Sequence, residues 1–302
     1  MRIGVDLGGT KVEAIALMAD GKIGTRVRRP TPSGDYQAAL RLIRDLVLQV
    51  KHETGLDGPI GIGIPGAIST LSGTVMNANS TWLIGRPLDK DLEQILRAPV
   101  RIANDANCFA ISEAVDGAGE GAHSVFGIIL GTGCGGGLVI NQAIVAGRHG
   151  IAGEWGHNPL PWPSKKELPG PPCYCGKRGC LETWISGTGL TADFERMTGD
   201  TLTAEGIFES ARSGSSSASR TLNTYYDRLA RALAGVINIV DPDVIVIGGG
   251  LSNQNALYIE LPRRLPDYVF CDRVETRILK NRHGDSSGVR GAAWLWPEQS
   301  GD

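Results

Sequence analysis

Apolar positions along the chain fall into short runs that end in glycine, interrupted by two long stripes of helical spacing. Arg2 to Val5 reads as a strand ending at Asp6, and Val12 to Leu17 as a second strand behind the turn DLGGT, giving a hairpin with a glycine-rich tip. From Gln37 to His52 the apolar residues Leu40, Ile43, Leu46, Val47 and Val50 keep the i, i+3, i+4 spacing of an amphipathic helix. Pro59 to Ile64 and Ala98 to Ala103 return to strand, and the second leads through Asn104 and Asp105 into a helix reaching about Val115. The order β-β-α-β-α is that of a mixed α/β domain.

The pattern then starts again. Ser124 to Leu130 predicts a strand, GTGCGGG a turn, and Leu138 to Val145 a second strand. Leu222, Tyr226, Leu229, Leu233, Val236, Ile237 and Val240 trace a long helix stopped by Asp241-Pro242, and Val244 to Ile247 is a buried-type strand feeding the turn Gly248 to Gly250. ILGTGCGGGLVI beside VDLGGTKVEAIAL suggests one repeated strand-turn-strand unit, hence two related halves facing a cleft. Ser213 to Ser219 is expected to be an exposed loop. The proline-rich stretch Pro159 to Pro172 is expected to be a loop, neither helix nor central strand, that carries a cysteine cluster.

Composition adds exclusions. A chain of 302 residues with 41% apolar and 21% charged residues suits a two-domain globular protein. A net charge of −2 leaves no basic footprint for nucleic acid or an anionic membrane, so a small polar or anionic substrate is the better expectation. No apolar run approaches the roughly 18 residues that span a bilayer, and MRIGVDLGG has neither the apolar core of a signal peptide nor the pattern of a transit peptide. A cytoplasmic protein is expected.

In that compartment thiols stay reduced, so Cys173, Cys175 and Cys180, three within eight residues, read as metal ligands before disulfide halves. A tetrahedral site needs a fourth ligand, and His157, one of only five histidines, lies shortly upstream. Three thiolates and an imidazole leave no open position, so a structural zinc ion is expected, with Glu154 and Glu182 fixed beside the ligands and suited to sugar hydroxyls.

The turn DLGGTK offers backbone amides, the Thr10 hydroxyl, the Lys11 charge and the Asp6 carboxylate, which can hold a metal ion through water. Such a turn is also an ordinary hairpin tip, but the second turn, LGTGCGG, would grip the same polyphosphate from another side, and Gly248 to Gly250 could admit a flat base. Asn104-Asp105 reads equally as a helix cap and as the carboxylate that accepts a hydroxyl proton in phosphoryl transfer.

Taken together, DLGGTK, Asn104-Asp105, LGTGCGGG, the Glu-x-Gly-His element at Glu154 to His157 and Cys-x-Cys-Gly-x-x-Gly-Cys-x-Glu from Cys173 to Glu182 resemble the ROK family of repressors, open reading frames and sugar kinases from end to end. The segments NANSTW, NDANC, AGEWGHNPLPW, CYCGK and HGDSSGVRGAAWLW look most like bacterial fructokinases of the mannofructokinase type. The resemblance implies an actin-like, two-domain ATPase fold of the hexokinase and Hsp70 kind with an interdomain cleft, a homodimer, and magnesium-ATP and a hexose as ligands. Domains at 1–106 plus 285–302 and at 107–284 would follow. It further implies Asp105 as the base at the 6-hydroxyl, with Asn79, Asn104, Glu154, His157 and Glu182 around the sugar and His157 serving both zinc and sugar. Asp6, Gly8, Gly9, Thr10, Lys11, Thr132 and Gly133 would face the phosphates, Gly248, Gly249 and Gly250 the adenosine, and a final helix after His283 would pack on the first domain. The expected activity is ATP:D-fructose 6-phosphotransferase, with mannose also accepted. A glucokinase, an N-acetylhexosamine kinase and a sugar-binding regulator are the alternatives; the phosphate strand beginning at Arg2 leaves no room ahead of it for a DNA-binding helix-turn-helix.

Overall fold

The computed structural model describes residues 1–297. In chain order its elements are β1 (Arg2–Leu7), β2 (Lys11–Leu17), β3 (Ile23–Pro30), α1 (Tyr36–Thr54), β4 (Ile60–Ile64), β5 (Ala67–Ile68), β6 (Val75–Met76), α2 (Leu88–Leu96), β7 (Val100–Asn104) and α3 (Asp105–Val115). They continue with β8 (Ser124–Leu130), β9 (Cys134–Ile140), β10 (Ala143–Ile144), α4 (Glu182–Ile185), α5 (Gly187–Thr198), α6 (Ala204–Arg212), α7 (Ser216–Val240), β11 (Val244–Gly248), α8 (Leu257–Arg264), β12 (Arg277–Lys280) and α9 (Ser287–Trp294).

The chain divides into two compact units, Met1–Gly121 with Gly137–Ala152 and the segment from Arg282, and Ala122–Gly136 with Gly153–Asn281. The first break therefore falls after Gly121 and not at residue 106, because α3 packs on α9; residues 137–152 also join the first unit, so β9 passes from one unit to the other after Gly136. Strand order is β3-β2-β1-β4-β7 in the first sheet and β10-β9-β8-β11-β12 in the second. The two orders are the same when each sheet is numbered from its own first strand, which gives the glycine-turn repeat a structural basis.

In the first unit β1 pairs antiparallel with β2 and parallel with β4, and β4 runs parallel with β7. Asp6 stands opposite Gly63, and Ile64 opposite Asn104, so Asp6 and Asn104 both lie at carboxyl ends of parallel strands, where open α/β sheets bind ligands. Helix α1 buries Leu40, Ile43, Leu46, Val47 and Val50 against this sheet; Asp35 caps its first turn by accepting from the Ala38 amide, and left-handed Gly55 ends it. Helix α9 lies so close to β4 that a methyl group at Gly61 would overlap the Ala292 carbonyl, and one at Gly291 would overlap the Cys108 carbonyl of α3. Cys108 and Cys134 are buried, and burial raises both thiols well above their ordinary range, in keeping with small apolar fillers.

Two expectations change. The strand expected over Leu138–Val145 is a tight hairpin: positive φ at Asn141 and Gln142 turns the chain after Ile140, and β10 pairs back antiparallel. The serine stretch is helical from Ser216, because the Ser215 hydroxyl accepts from the Ala218 amide and caps α7. The proline-rich loop also holds one 3-10 turn, Lys165–Glu167, opened by a capping box from Ser164. No helix among the described residues is long and apolar enough to cross a membrane.

Gly61→Ala should destabilise the protein by more than about 3 kcal/mol, since backbone stands where the methyl group would go. Gly235→Ala in α7, which would meet only Pro161 Cγ at 3.7 Å, should raise the melting temperature by roughly 2–4 °C. Calorimetric melting of the two variants beside wild type checks both.

Candidate active site

In the first unit the β1–β2 turn is closed by the Gly8 amide donating to the Lys11 carbonyl at 3.0 Å, and braced by Thr31 Oγ1 donating to the Gly8 carbonyl at 2.7 Å. Gly9, Thr10 and Lys11 are left at an exposed tip. Asn104 caps α3: its Oδ1 accepts from the Ala106 amide at 2.9 Å, and Asp105 Oδ1 accepts from the same amide at 2.8 Å. The cap reading and the proposed-base reading of this pair are thus compatible, since capping uses only one Asp105 oxygen. The Asp105 side chain reaches solvent, yet the surrounding protein raises its carboxyl above the ordinary range, against the lowering effect of the Ala106 and Asn104 hydrogen bonds. Burial, then the charge of Asp105, pushes Asp6 up to about 7. Two neighbouring carboxylates held this way favour a bound cation or proton. Asn79 sits exposed on the loop after β6.

In the second unit the turn after β8 is closed by the Gly131 amide donating to the Gly133 carbonyl at 3.1 Å. A cavity of about 670 Å³ opens beside it, lined among others by Thr132, Gly187, Thr188, Thr191, Glu195 and Gly250. Gly131, Thr132 and Gly250 are among its lining residues; Gly248 and Gly249 are not. The first turns of α5, behind the cap Ser186, also line it and were not anticipated; the signal was ISGTGL, a capping serine followed by small residues at a helix start.

The element Glu154 to His157 is a 3-10 turn laid on β9. Trp155 Nε1 donates to the Gly135 carbonyl at 3.0 Å, and a side chain at Gly156 would overlap the Cys134 carbonyl, so only glycine allows this approach. Glu182 opens α4 and spends one oxygen on the second turn, accepting from the Cys134 amide at 2.9 Å.

His157, Cys173, Cys175 and Cys180 converge, each offering a ligand atom within 4.8 Å of the others. His157 Nδ1 lies 3.5 Å from Cys173 Sγ, and Cys175 Sγ lies 3.6 Å from Cys180 Sγ. Bond lengths of about 2.3 Å to sulfur and 2.0 Å to nitrogen place tetrahedral ligand atoms about 3.5–3.8 Å apart, so the donor set fits zinc in size as well as chemistry. The other imidazole nitrogen, Nε2, lies 2.9 Å from the Tyr174 hydroxyl.

A buried ionic network underlies this loop. Glu167 is 7% exposed and accepts from Arg228 Nε at 2.8 Å and from Arg231 Nη2 at 2.8 Å, while Arg228 Nη1 donates to Asp193 at 2.7 Å. The Arg228 guanidinium also stacks 4.2 Å over Trp184 in α4, so α7 holds the proline-rich loop, α5 and the helix headed by Glu182 together.

Paired glycine turns at the ends of equivalent strands in two five-stranded sheets of one order define the actin-like ATPase fold. The chain belongs to the ROK family, whose sequence pattern matches residues 2–299. It is 42% identical over 299 residues, 98% of either chain, to an N-acetyl-D-glucosamine kinase of Yersinia pseudotuberculosis. The ROK hexokinase of Thermus thermophilus superposes with a TM-score of 0.86 over 97% of each chain at 28% identity. A ROK glucokinase of Streptomyces griseus, solved with glucose and AMPPNP, gives 0.78 over 97% of this chain and 98% of its own at 29% identity. The chain is a sugar kinase of this family. The Yersinia relative is named for an N-acetylhexosamine where the sequence motifs pointed to fructose.

Burial alone would raise the Glu167 carboxyl, but hydrogen bonds from Arg231 and Arg228 bring it down to about 2. A depressed carboxylate stabilises the fold above its unfolded value of 4.5, and that contribution is lost as pH falls toward about 2. Glu167→Gln should therefore cost about 3 kcal/mol or more near neutrality and flatten the acid limb of stability between those values, as read by urea unfolding across pH.

Proposed function

We propose that the protein is an ATP-dependent N-acetylhexosamine kinase that phosphorylates the 6-hydroxyl of N-acetyl-D-glucosamine. The observation that carries the sugar assignment is the 42% identity over 98% of both chains with a relative of that name. A fructokinase accepting mannose is the second reading, favoured by the segments NANSTW and CYCGK.

In the proposed reaction Asp105 accepts the proton of the sugar hydroxyl as its oxygen attacks the γ-phosphorus, and the bond from phosphorus to the β–γ bridging oxygen breaks to release ADP. Asn79, Asn104, Glu154, His157 and Glu182 bind and orient the sugar. Gly8, Gly9, Thr10, Lys11, Thr132 and Gly133 face the phosphates, and Gly248 to Gly250 take the adenosine, in the cavity that Gly250, Thr188 and Thr191 line. Asp6 is the residue that would hold magnesium, its raised carboxyl marking a place where a cation is favoured. A divalent ion there supplies charge neutralisation to the phosphates. His157, Cys173, Cys175 and Cys180 would hold a structural zinc, which fixes the loop between Glu154 and Glu182.

ATP consumption with magnesium should be fastest with N-acetylglucosamine in a panel with N-acetylmannosamine, glucose, mannose and fructose. Fastest turnover of fructose would replace this reading by the second, and no turnover of any sugar would discard the kinase. Asp105→Asn should lower kcat at least about 100-fold while sugar affinity measured by calorimetry stays within a few fold; retained turnover would remove the base assignment. Metal analysis of freshly purified, reduced protein should find about one zinc per chain, and Cys175→Ser should cut that content and the melting temperature together.

A further inference from the structure

The first unit contains a cavity of about 500 Å³ that the proposed reaction does not use. It runs along β7, the last strand of the first sheet, from Arg101 to Asn104, and its lining residues all belong to that unit. Its volume is that of a small-molecule site, roughly 300–1,000 Å³. Of the residues to which sugar contact is assigned above, only Asn104 borders it. Alanine and isoleucine make up much of its wall, and Arg101 is the one charged side chain among the described residues that line it. The Arg101 guanidinium is held in place: Nη1 donates to the Leu295 carbonyl at 2.7 Å, and its carbon lies 4.3 Å over the Trp296 ring. Those contacts leave further donors of its rigid fork for an anion. Asn107 and Trp294 also line the cavity, each 8% exposed. Each keeps a buried polar atom, Asn107 Oδ1 and Trp294 Nε1, without a hydrogen-bond partner among the described residues. Native folds leave few such atoms unpaired without a reason. Gln142, another lining residue, is held at φ 57°, a left-handed conformation uncommon for glutamine. The motifs NDANC and HGDSSGVRGAAWLW supply Asn107 and Trp294, and the proposed reaction uses neither residue.

We propose that this cavity is an effector site for a small organic anion with an apolar body. The anionic group pairs with Arg101, the body lies against the aliphatic wall and Trp294, and a polar substituent meets the Asn107 amide. Such a ligand acts on the reaction through Asn104. That residue borders the cavity and, by accepting from the Ala106 amide at 2.9 Å, caps the helix that Asp105 heads. An occupant that shifts the cap shifts the Asp105 carboxylate with it, which couples the cavity to the proposed chemistry. The binding site stands apart from the sugar-kinase reading; its effect on turnover rests on that reading. The lining comes from stretches far apart in the chain, so no local motif announces it.

The probe is anilinonaphthalene sulfonate, a fluorescent anion with an apolar body, titrated against wild type, Arg101→Gln and Ala143→Trp. The tryptophan ring would fill the cavity from β10, where Ala143 lines it. Wild type should bind one probe per chain. Arg101→Gln should raise the dissociation constant about tenfold, through loss of a charge-assisted hydrogen bond, and Ala143→Trp should abolish binding, with melting temperatures close to wild type. Equal binding by all three proteins, or no stoichiometric binding by wild type, overturns the site. Should Ala143→Trp fail to fold, Arg101→Gln alone decides. Bound probe should also change the KM for the fastest-turned-over sugar by about fivefold in wild type, and by less in Arg101→Gln at the same probe concentration. An unchanged KM in probe-saturated wild type overturns the effector role. Expected probe binding by a wild type that turns over no sugar upholds the site while discarding the kinase reading.

Discussion

The contact on which the first unit depends is backbone against backbone. Glycine stands at places where α9 would otherwise be held off its neighbours, among them Gly61 of β4 under Ala292 and Gly291 of α9 against the Cys108 carbonyl. Removing two side chains from the interface forfeits some apolar area, but it lets the peptide planes approach within a distance no β-carbon would allow. α3 is set by that approach. Asp105 heads α3, so the position of the proposed base depends on how closely α9 packs on the same helix at Cys108, three residues on.

The second unit solves a different problem. The residues proposed for sugar and zinc sit largely on irregular chain, Glu154 to His157 and Pro171 to Glu182, which lacks the ladder of hydrogen bonds that fixes strands. Order is supplied from two sides. Cys173, Cys175, Cys180 and His157 converge at one end. At the other, Arg228 and Arg231 of α7 reach across to Glu167 and Asp193 with almost no exposure to water. Buried ion pairs are weak contributors to stability against an apolar alternative, but they are strict about geometry, because displacing one partner strands a charge. Trp184, under the Arg228 guanidinium, carries that strictness to α4 and so to Glu182.

Much of this was legible in the sequence because it is local. Glycine turns after apolar runs, the periodicity of α1 and α7, and a histidine upstream of three clustered cysteines each encode their own geometry within a few residues. What escaped is non-local or depends on one capping bond. Ser215 converts a serine-rich loop into the first turn of α7; Asn141 and Gln142 turn the chain without the Asn-Gly pair that announces a hairpin. The strand β3 was hidden because Ile23–Pro30 alternates basic residues that face out, and Glu167 looked like any loop glutamate. Sugar preference was least legible of all, since hexoses differ by single substituents and one missed contact shifts discrimination by only a few kcal/mol.

A sheet whose strand β1 precedes the second unit in the chain and whose covering helix α9 follows it has an awkward history on the ribosome. Domains generally fold as units during synthesis, N-terminal ones ahead. Here the strands β1 to β7 emerge early, yet the face that α9 covers stays bare until Ser287–Trp294 is translated, after every element of the second unit. The intervening unit has all its strands and helices by Asn281 and can finish before the unit that began first. A nascent chain of this protein therefore carries an apolar sheet surface unpartnered while the whole second unit is made.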